Sequence, residues 1–153
     1  MDLEDPHPLG RCLGCQHQES TATLDNGTVA RVISYDMTDF VRSCVDRYTE
    51  VAGGDTGYLK TVPTPFLSEP DPDPAGENAD GRLGDKAASV LMKILYAARM
   101  VRFDLLKAIQ ALACRIHRWT SWCDKALCRL VCYLYSSDSD VLKGYVADPL
   151  GKT

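Results

Sequence analysis

The sequence predicts an α+β fold: a small antiparallel sheet remnant with one helix, then a three-helix unit and a terminal strand. Three observations carry that prediction. Residues 27–36 are rich in β-branched side chains and follow Asn26-Gly27, a strong hairpin turn signal. Residues 85–135 hold helical periodicity, and no proline occurs between residues 75 and 148. Between these parts lies "SEPDPDPAGENADGRLGD", an acidic Pro/Gly-rich stretch of linker composition.

In chain order, "GRCLGCQHQE" and "GTVARVISYD" read as short strands joined across residues 20–27. A helix follows, with Asp36 placed to cap it, Phe40, Val41, Cys44, Val45, Tyr48 and Val51 at helical spacing, and Gly53-Gly54 to stop it. "YLKTVPTPFL" is extended, because residues before Pro63 and Pro65 are pushed out of the helical region. "DKAASVLMKILYAARM" is apolar on most sides and is expected to be largely buried. Two more helices repeat Leu105, Ile109, Leu112, Ala113, Ile116 and then Cys123, Leu127, Leu130, Val131, Leu134, with breaks near Arg102 and Thr120. "VLKGYVAD" closes the chain as a strand. The segments are therefore 1–67, a linker over 68–85, a basic helical unit over 86–136, and a terminal strand segment over 137–153.

Length bounds the answer to one compact domain of 153 residues, with 45% hydrophobic and 25% charged side chains. The acidic start has no apolar signal region, and no apolar run approaches the roughly 20 residues of a membrane span, so an intracellular, soluble chain is expected. Seven cysteines, an odd number, are then expected as reduced thiols.

The net charge of −4 hides an asymmetry. Residues 1–84 carry six Lys/Arg against fifteen Asp/Glu, whereas residues 85–135 carry nine against three. A net of +6 over one helical unit suits phosphates or an acidic partner. Arg99, Arg102, Lys107, Arg115, Arg118, Lys125 and Arg129 make up the candidate nucleic-acid-binding set, and each could singly be part of a solvated face. Trp119 and Trp122 flank a helix break and read as core rather than base-stacking platforms.

Cys12, Cys15 and His17 raise the question of a zinc site. A structural site takes four ligands, and on one extended strand Cys12 and Cys15 would face opposite ways, so the stretch is read as a strand. Cys128 and Cys132 lie one helical turn apart, with Cys123 a turn earlier and Cys114 or His117 available from the neighbouring helix. They are read as small apolar residues at a helix–helix contact, since no C-x-x-C pair accompanies them. No Ser-His-Asp, Cys-His or P-loop arrangement appears, and His7, His17 and His117 lack a nucleophile partner.

"RFDLLKAI" and "KALCRLVCYL" resemble the C-terminal part of copia-type retrotransposon reverse transcriptases, whose pattern is R-P-D-[IL], a helix, then [KH]-x-x-L-x-R-[LIV]-x-x-Y-L. Arg102, Asp104, Leu105, Leu127, Arg129, Leu130, Tyr133 and Leu134 match; Phe103 stands where the family has proline. Upstream, "LGRCLGC" is similar to the F-L-G strand, "YDMTDFVRSCVDRY" to the helix after it, and "VPTPFL" to V-x-T-P. The resemblance covers residues 9–148 in order. It implies a fragment of an RNA-directed DNA polymerase, whose thumb and connection grip template–primer and whose complete enzyme uses Mg2+.

The palm carboxylates that hold that metal would precede residue 1, and this chain contains no Asp-Asp pair. Tyr145–Asp148, "YVAD", stands after the helices rather than before them and lacks one ligand. Asp148 instead resembles the first metal-binding Asp of the ribonuclease H domain that follows in copia-type polyproteins. Without partner carboxylates it cannot hold catalytic metals. The chain alone is thus expected to be catalytically silent, with no catalytic residue, metal or cofactor of its own, and to bind nucleic acid weakly and without sequence preference. The alternative is a helical interaction module whose basic face meets an acidic protein partner, its own residues 68–85 included.

Overall fold

The computed structural model describes residues 10–68 and 79–147. The fold is α+β, with strands β1 (Arg11–Cys12), β2 (Cys15–Thr23) and β3 (Val29–Asp36), then helices α1 (Thr38–Ala52), α2 (Gly84–Met100), α3 (Leu106–Ala113) and α4 (Ser121–Ser136), and last β4 (Leu142–Val146). Short 3-10 turns at Phe103–Leu105 and Ile116–Arg118 make the breaks expected near Arg102 and Thr120.

The sheet is antiparallel in the order β1-β2-β3-β4. The first predicted strand is two strands. Leu13 (φ 51°) and Gly14 (φ 84°) form a two-residue turn with both residues left-handed, the geometry that matches strand twist in a tight hairpin. Cys12 and Cys15 are therefore cross-strand partners, not alternate positions of one strand, and only Cys15 is buried. The second hairpin runs further than expected, to Thr23, because the β-branched Thr21 and Thr23 pair with Arg31 and Val29. The terminal strand joins the same sheet: β4 pairs with β3, Tyr145 opposite Val32 and Leu142 opposite Tyr35.

The sheet meets the helices at its base. Cys15, Met37 and Val101 form a small cluster with Tyr35, Phe40, Tyr96 and Leu142 around it, and the Tyr96 hydroxyl donates to the Leu13 carbonyl at 2.7 Å. Asp36 accepts the Thr38 N–H at 2.8 Å and so leads the chain into α1.

The main core is built from one face of each helix. α1 supplies Val41, Cys44, Val45 and Tyr48, and α2 supplies Ala87, Val90, Leu91, Ile94, Ala97 and Ala98. Leu105, Ile109 and Leu112 meet Leu127, Leu130, Val131 and Leu134 of α4. Each fully buried aliphatic side chain contributes about 1.5–3 kcal/mol of transfer free energy, so this cluster dominates stability. Residues of α1 and of the three later helices share this cluster. α2 is less enclosed than its composition suggests: Met92 is 49% exposed, since only one face packs on α1 and α3.

Both ends of the acidic linker are pinned. The Ser68 carbonyl accepts the Trp122 indole N–H at 3.1 Å. Residues 79–81 run along the α3–α4 junction, with Ser121 N–H donating to Ala79 O and Gly81 N–H to Trp119 O. A Cβ on Gly81 would stand 2.5 Å from the Thr120 carbonyl oxygen, so only glycine fits there. The middle of the linker, 69–78, lies outside the described residues.

Candidate nucleic-acid interface

The seven candidate cations fall into three groups, of which the second and third share Lys107. Arg102 is 3% exposed and is not a surface residue. Its Nε and Nη2 donate to the two Asp104 oxygens at 3.0 and 2.8 Å, and its Nη1 and Nη2 to the carbonyl and hydroxyl of Ser137 at 2.7 and 2.8 Å. The guanidinium also lies 5.7 Å from the Tyr133 ring centroid. It ties the α2–α3 turn to the end of α4, so the expectation that it contacts nucleic acid is corrected. Burial opposes charge on both partners, but their mutual hydrogen bonds and attraction outweigh it. The Arg102 pKa is raised and the Asp104 carboxyl is held below its ordinary range.

Arg129, Arg115 and Lys107 surround an extended strap, residues 58–68, that lies against α3 and α4. Arg129 donates to the Thr64 carbonyl and hydroxyl at 3.2 and 3.1 Å. Arg115 stacks over Trp122 at 5.0 Å and donates to the Ala111 carbonyl at 2.9 Å. The Lys107 ammonium stands 5.6 Å from the Phe66 ring centroid. Phe66 and Leu67 pack against Ala108, Ala111 and Trp122, which explains why prolines 63 and 65 sit here: an extended strap fills the groove between two helices.

The exposed cations are Arg99 on the last turn of α2, Lys107, Arg118 and Lys125. Lys107, Gln110 and Cys114 are exposed along α3 and its C-cap, and Arg118 is exposed at the end of the 3-10 turn that follows. Trp119 and Trp122 are buried, 7% and 5% exposed, and their indole N–H groups are satisfied within the protein, in keeping with the core reading.

Cys123 and Cys132 are buried, Cys128 half-buried and Cys114 exposed. Burial pushes the Cys128 thiol up, and Cys44 on α1 is pushed up to about 12. Among the described residues no group of three or more His, Cys, Asp or Glu is placed to hold a metal ion. Asp148 lies outside the described residues. No helix among the described residues is long and apolar enough to cross a membrane.

Two features had no counterpart in the sequence reading. Asp124 accepts the Arg82 and Leu83 N–H groups at 2.6 and 3.2 Å and the Trp119 indole N–H at 2.7 Å, so α4 closes the N-terminus of α2. The second is a groove between the strap and α4, of about 420 Å³, to which Lys60 contributes. Neither has a local signal, since both join residues more than 40 positions apart. Comparison with known protein families, curated proteins and solved structures finds no match for this chain.

Proposed function

We propose that the chain is the post-catalytic portion of a copia-type reverse transcriptase and that its helical unit contacts the sugar–phosphate backbone weakly and without sequence preference. The observation that supports this best is the exposure of Lys107 and Arg118 on a unit of net charge +6. Arg99 and Lys125 add to its field. Arg118 carries a planar fork that meets two phosphate oxygens at once.

Release of condensed counterions drives such association, with log K falling about 0.9 per phosphate neutralised. Three or four engaged cations imply a slope of roughly −3 to −4 against log salt and a Kd of about 10⁻⁴ to 10⁻⁶ M at physiological salt. The test is salt-dependent binding to a primer–template duplex by the wild type and by Lys107→Ala/Arg118→Ala. The slope should fall by roughly 2 in the variant. An unchanged slope in a folded variant overturns the proposal. The same chain should not incorporate nucleotides on a primed template with Mg2+.

The alternative, a basic face for an acidic protein segment, draws on one observation. Lys107, Arg115 and Arg129 already hold or flank the chain's own strap, and the sequence after Ser68 carries Glu69, Asp71, Asp73 and Glu77. Deleting residues 69–78 should then tighten duplex binding.

A further inference from the structure

The turn that divides the first predicted strand brings two thiols together. Cys12 ends β1 and Cys15 begins β2, and the two are directly opposed in the ladder. The Gly10 carbonyl accepts the His17 N–H at 3.1 Å, which makes Gly10 and His17 a hydrogen-bonded pair in the same register. Hydrogen-bonded and open pairs alternate along an antiparallel ladder, so Cys12 and Cys15 are again a hydrogen-bonded pair. Such partners stand with Cα atoms about 5.5 Å apart and carry their side chains on one face. A disulfide spans a Cα separation of about 4.4–6.8 Å, so the backbone need not move to join them.

The two thiols differ in access. Cys12 is exposed, whereas Cys15 is buried and packs with Met37 and Val101. Burial pushes the Cys15 thiol up, and the negative charges of Asp36 and of an ionised Cys12 add to the rise. Cys15 is therefore shielded from solutes and reacts best with a sulfur delivered beside it. The hairpin is also held from outside: the Tyr96 hydroxyl donates to the Leu13 carbonyl at 2.7 Å, and Arg11 pairs with Asp39 at 3.1 Å. Of the other cysteines, Cys44, Cys123 and Cys132 are buried and Cys128 is half-buried, which leaves Cys114 as the second exposed thiol.

We propose that Cys12 and Cys15 form a redox dithiol, which a low-molecular-weight disulfide of the glutathione type oxidises to an intramolecular disulfide. The Cys12 thiolate attacks one sulfur of the oxidant, forming a mixed disulfide and releasing one glutathione thiolate, which takes up the proton Cys12 lost. Cys15 is deprotonated in turn and attacks the Cys12 sulfur, expelling the second glutathione, which takes up the Cys15 proton. In all, two protein thiols lose two electrons and one glutathione disulfide is reduced to two glutathione thiols. The fixed register makes the second step intramolecular, so closure outruns the addition of a second glutathione. The exposed Cys12 side keeps the bond open to thiol exchange, the property of labile rather than structural disulfides. The pair is independent of the nucleic-acid reading, which rests on Lys107 and Arg118 of the helical unit.

The experiment equilibrates the full chain in glutathione buffers, blocks the remaining thiols with N-ethylmaleimide under denaturing conditions and maps tryptic peptides by mass. Cleavage after Arg11 and Arg31 leaves Cys12 and Cys15 as the two cysteines of one peptide. In submillimolar glutathione with the reduced form in excess, that peptide should carry no label and be lighter by two hydrogens, while Cys114 stays mostly labelled. Dithiothreitol should restore both labels. Under excess glutathione disulfide, Cys15→Ser should stop at the Cys12 mixed disulfide, and Cys12→Ser should leave Cys15 unmodified. The oxidised wild type should unfold at a temperature no lower than the reduced one. The proposal is overturned if the wild-type peptide keeps both labels in those buffers, a readout that needs no substitution. It is equally overturned if Cys15→Ser takes up no glutathione at Cys12, if Cys12→Ser takes it up at Cys15, or if oxidation lowers the unfolding temperature.

Discussion

Replacing Arg102 separates a bracing role from a binding role. Arg102→Ala removes four hydrogen bonds, two to Asp104 and two to Ser137, and the guanidinium beside Tyr133. Bonds to a charged group contribute about 1.5–3 kcal/mol when buried, but the Asp104 side chain is 39% exposed, and its share shrinks to about 1 kcal/mol or less. The Ser137 carbonyl and hydroxyl add about 2 kcal/mol, giving a total near 3 kcal/mol. For a chain of this size that corresponds to roughly 6–12 °C in Tm. Arg102→Lys keeps the charge but cannot fork between Asp104 and Ser137, so it should lose about half as much. Urea unfolding measures both variants, and duplex binding is read at a temperature where Arg102→Ala remains folded. Stability within about 0.5 kcal/mol of the wild type for Arg102→Ala would refute the bracing assignment. So would a folded Arg102→Ala variant whose salt slope had dropped.

The remaining predictions concern the contacts that join distant parts of the chain. Asp124→Ala should cost about 2–4 kcal/mol in urea unfolding, because it strips the acceptor from three N–H groups and leaves the Trp119 indole buried without a partner; Asp124→Asn should cost less. Gly81→Ala should destabilise by about 1–3 kcal/mol or more, since its Cβ would collide with the Thr120 carbonyl. Gly84→Ala, whose Cβ would sit 3.3 Å from the Trp119 Cβ at the start of α2, should be near neutral, and equal losses for the two in thermal unfolding would count against the close-approach argument. Asp104 and Asp36 both have folded pKa values below their unfolded ones, Asp36 through the hydrogen bonds from Thr38. Their stabilisation is present above the unfolded carboxylate pKa of about 3.9 and is lost as pH falls through the folded values, so Tm should drop below about pH 4. The Asp104 part of that drop should vanish in Arg102→Ala.

How much was legible in the sequence follows the range of the interactions involved. The α+β class, the Asn26-Gly27 hairpin and the four helices could be read directly, because strand alternation, turn chemistry and the 3.6-residue stripe are properties of neighbouring residues. Val41, Cys44, Val45 and Tyr48 show the stripe plainly, and all four are buried in the core. The burial of Trp119 and Trp122 followed from their place beside a helix break. The concentration of positive charge on residues 85–135 was also visible, since charge is additive along the chain.

What each cation does was decided only by tertiary structure. Arg102 and Arg118 are indistinguishable as letters, yet one is enclosed by Asp104, Ser137 and Tyr133 and the other is exposed. The difference arises because the end of α4 folds back onto the α2–α3 turn, 35 residues away in sequence. Cys12 and Cys15 looked like alternate positions of one strand until a left-handed Leu13-Gly14 turn made them partners, and leucine gives no signal for such a turn. The same holds for β4. Its residues announce a strand, but only the tertiary fold determines that it pairs with β3. The groove under the strap is the furthest from sequence: Lys60, Val62 and Leu67 face Cys128 and Cys132 of α4 across it because Pro63 and Pro65 keep the strap extended, and no local pattern encodes where an extended segment will lie.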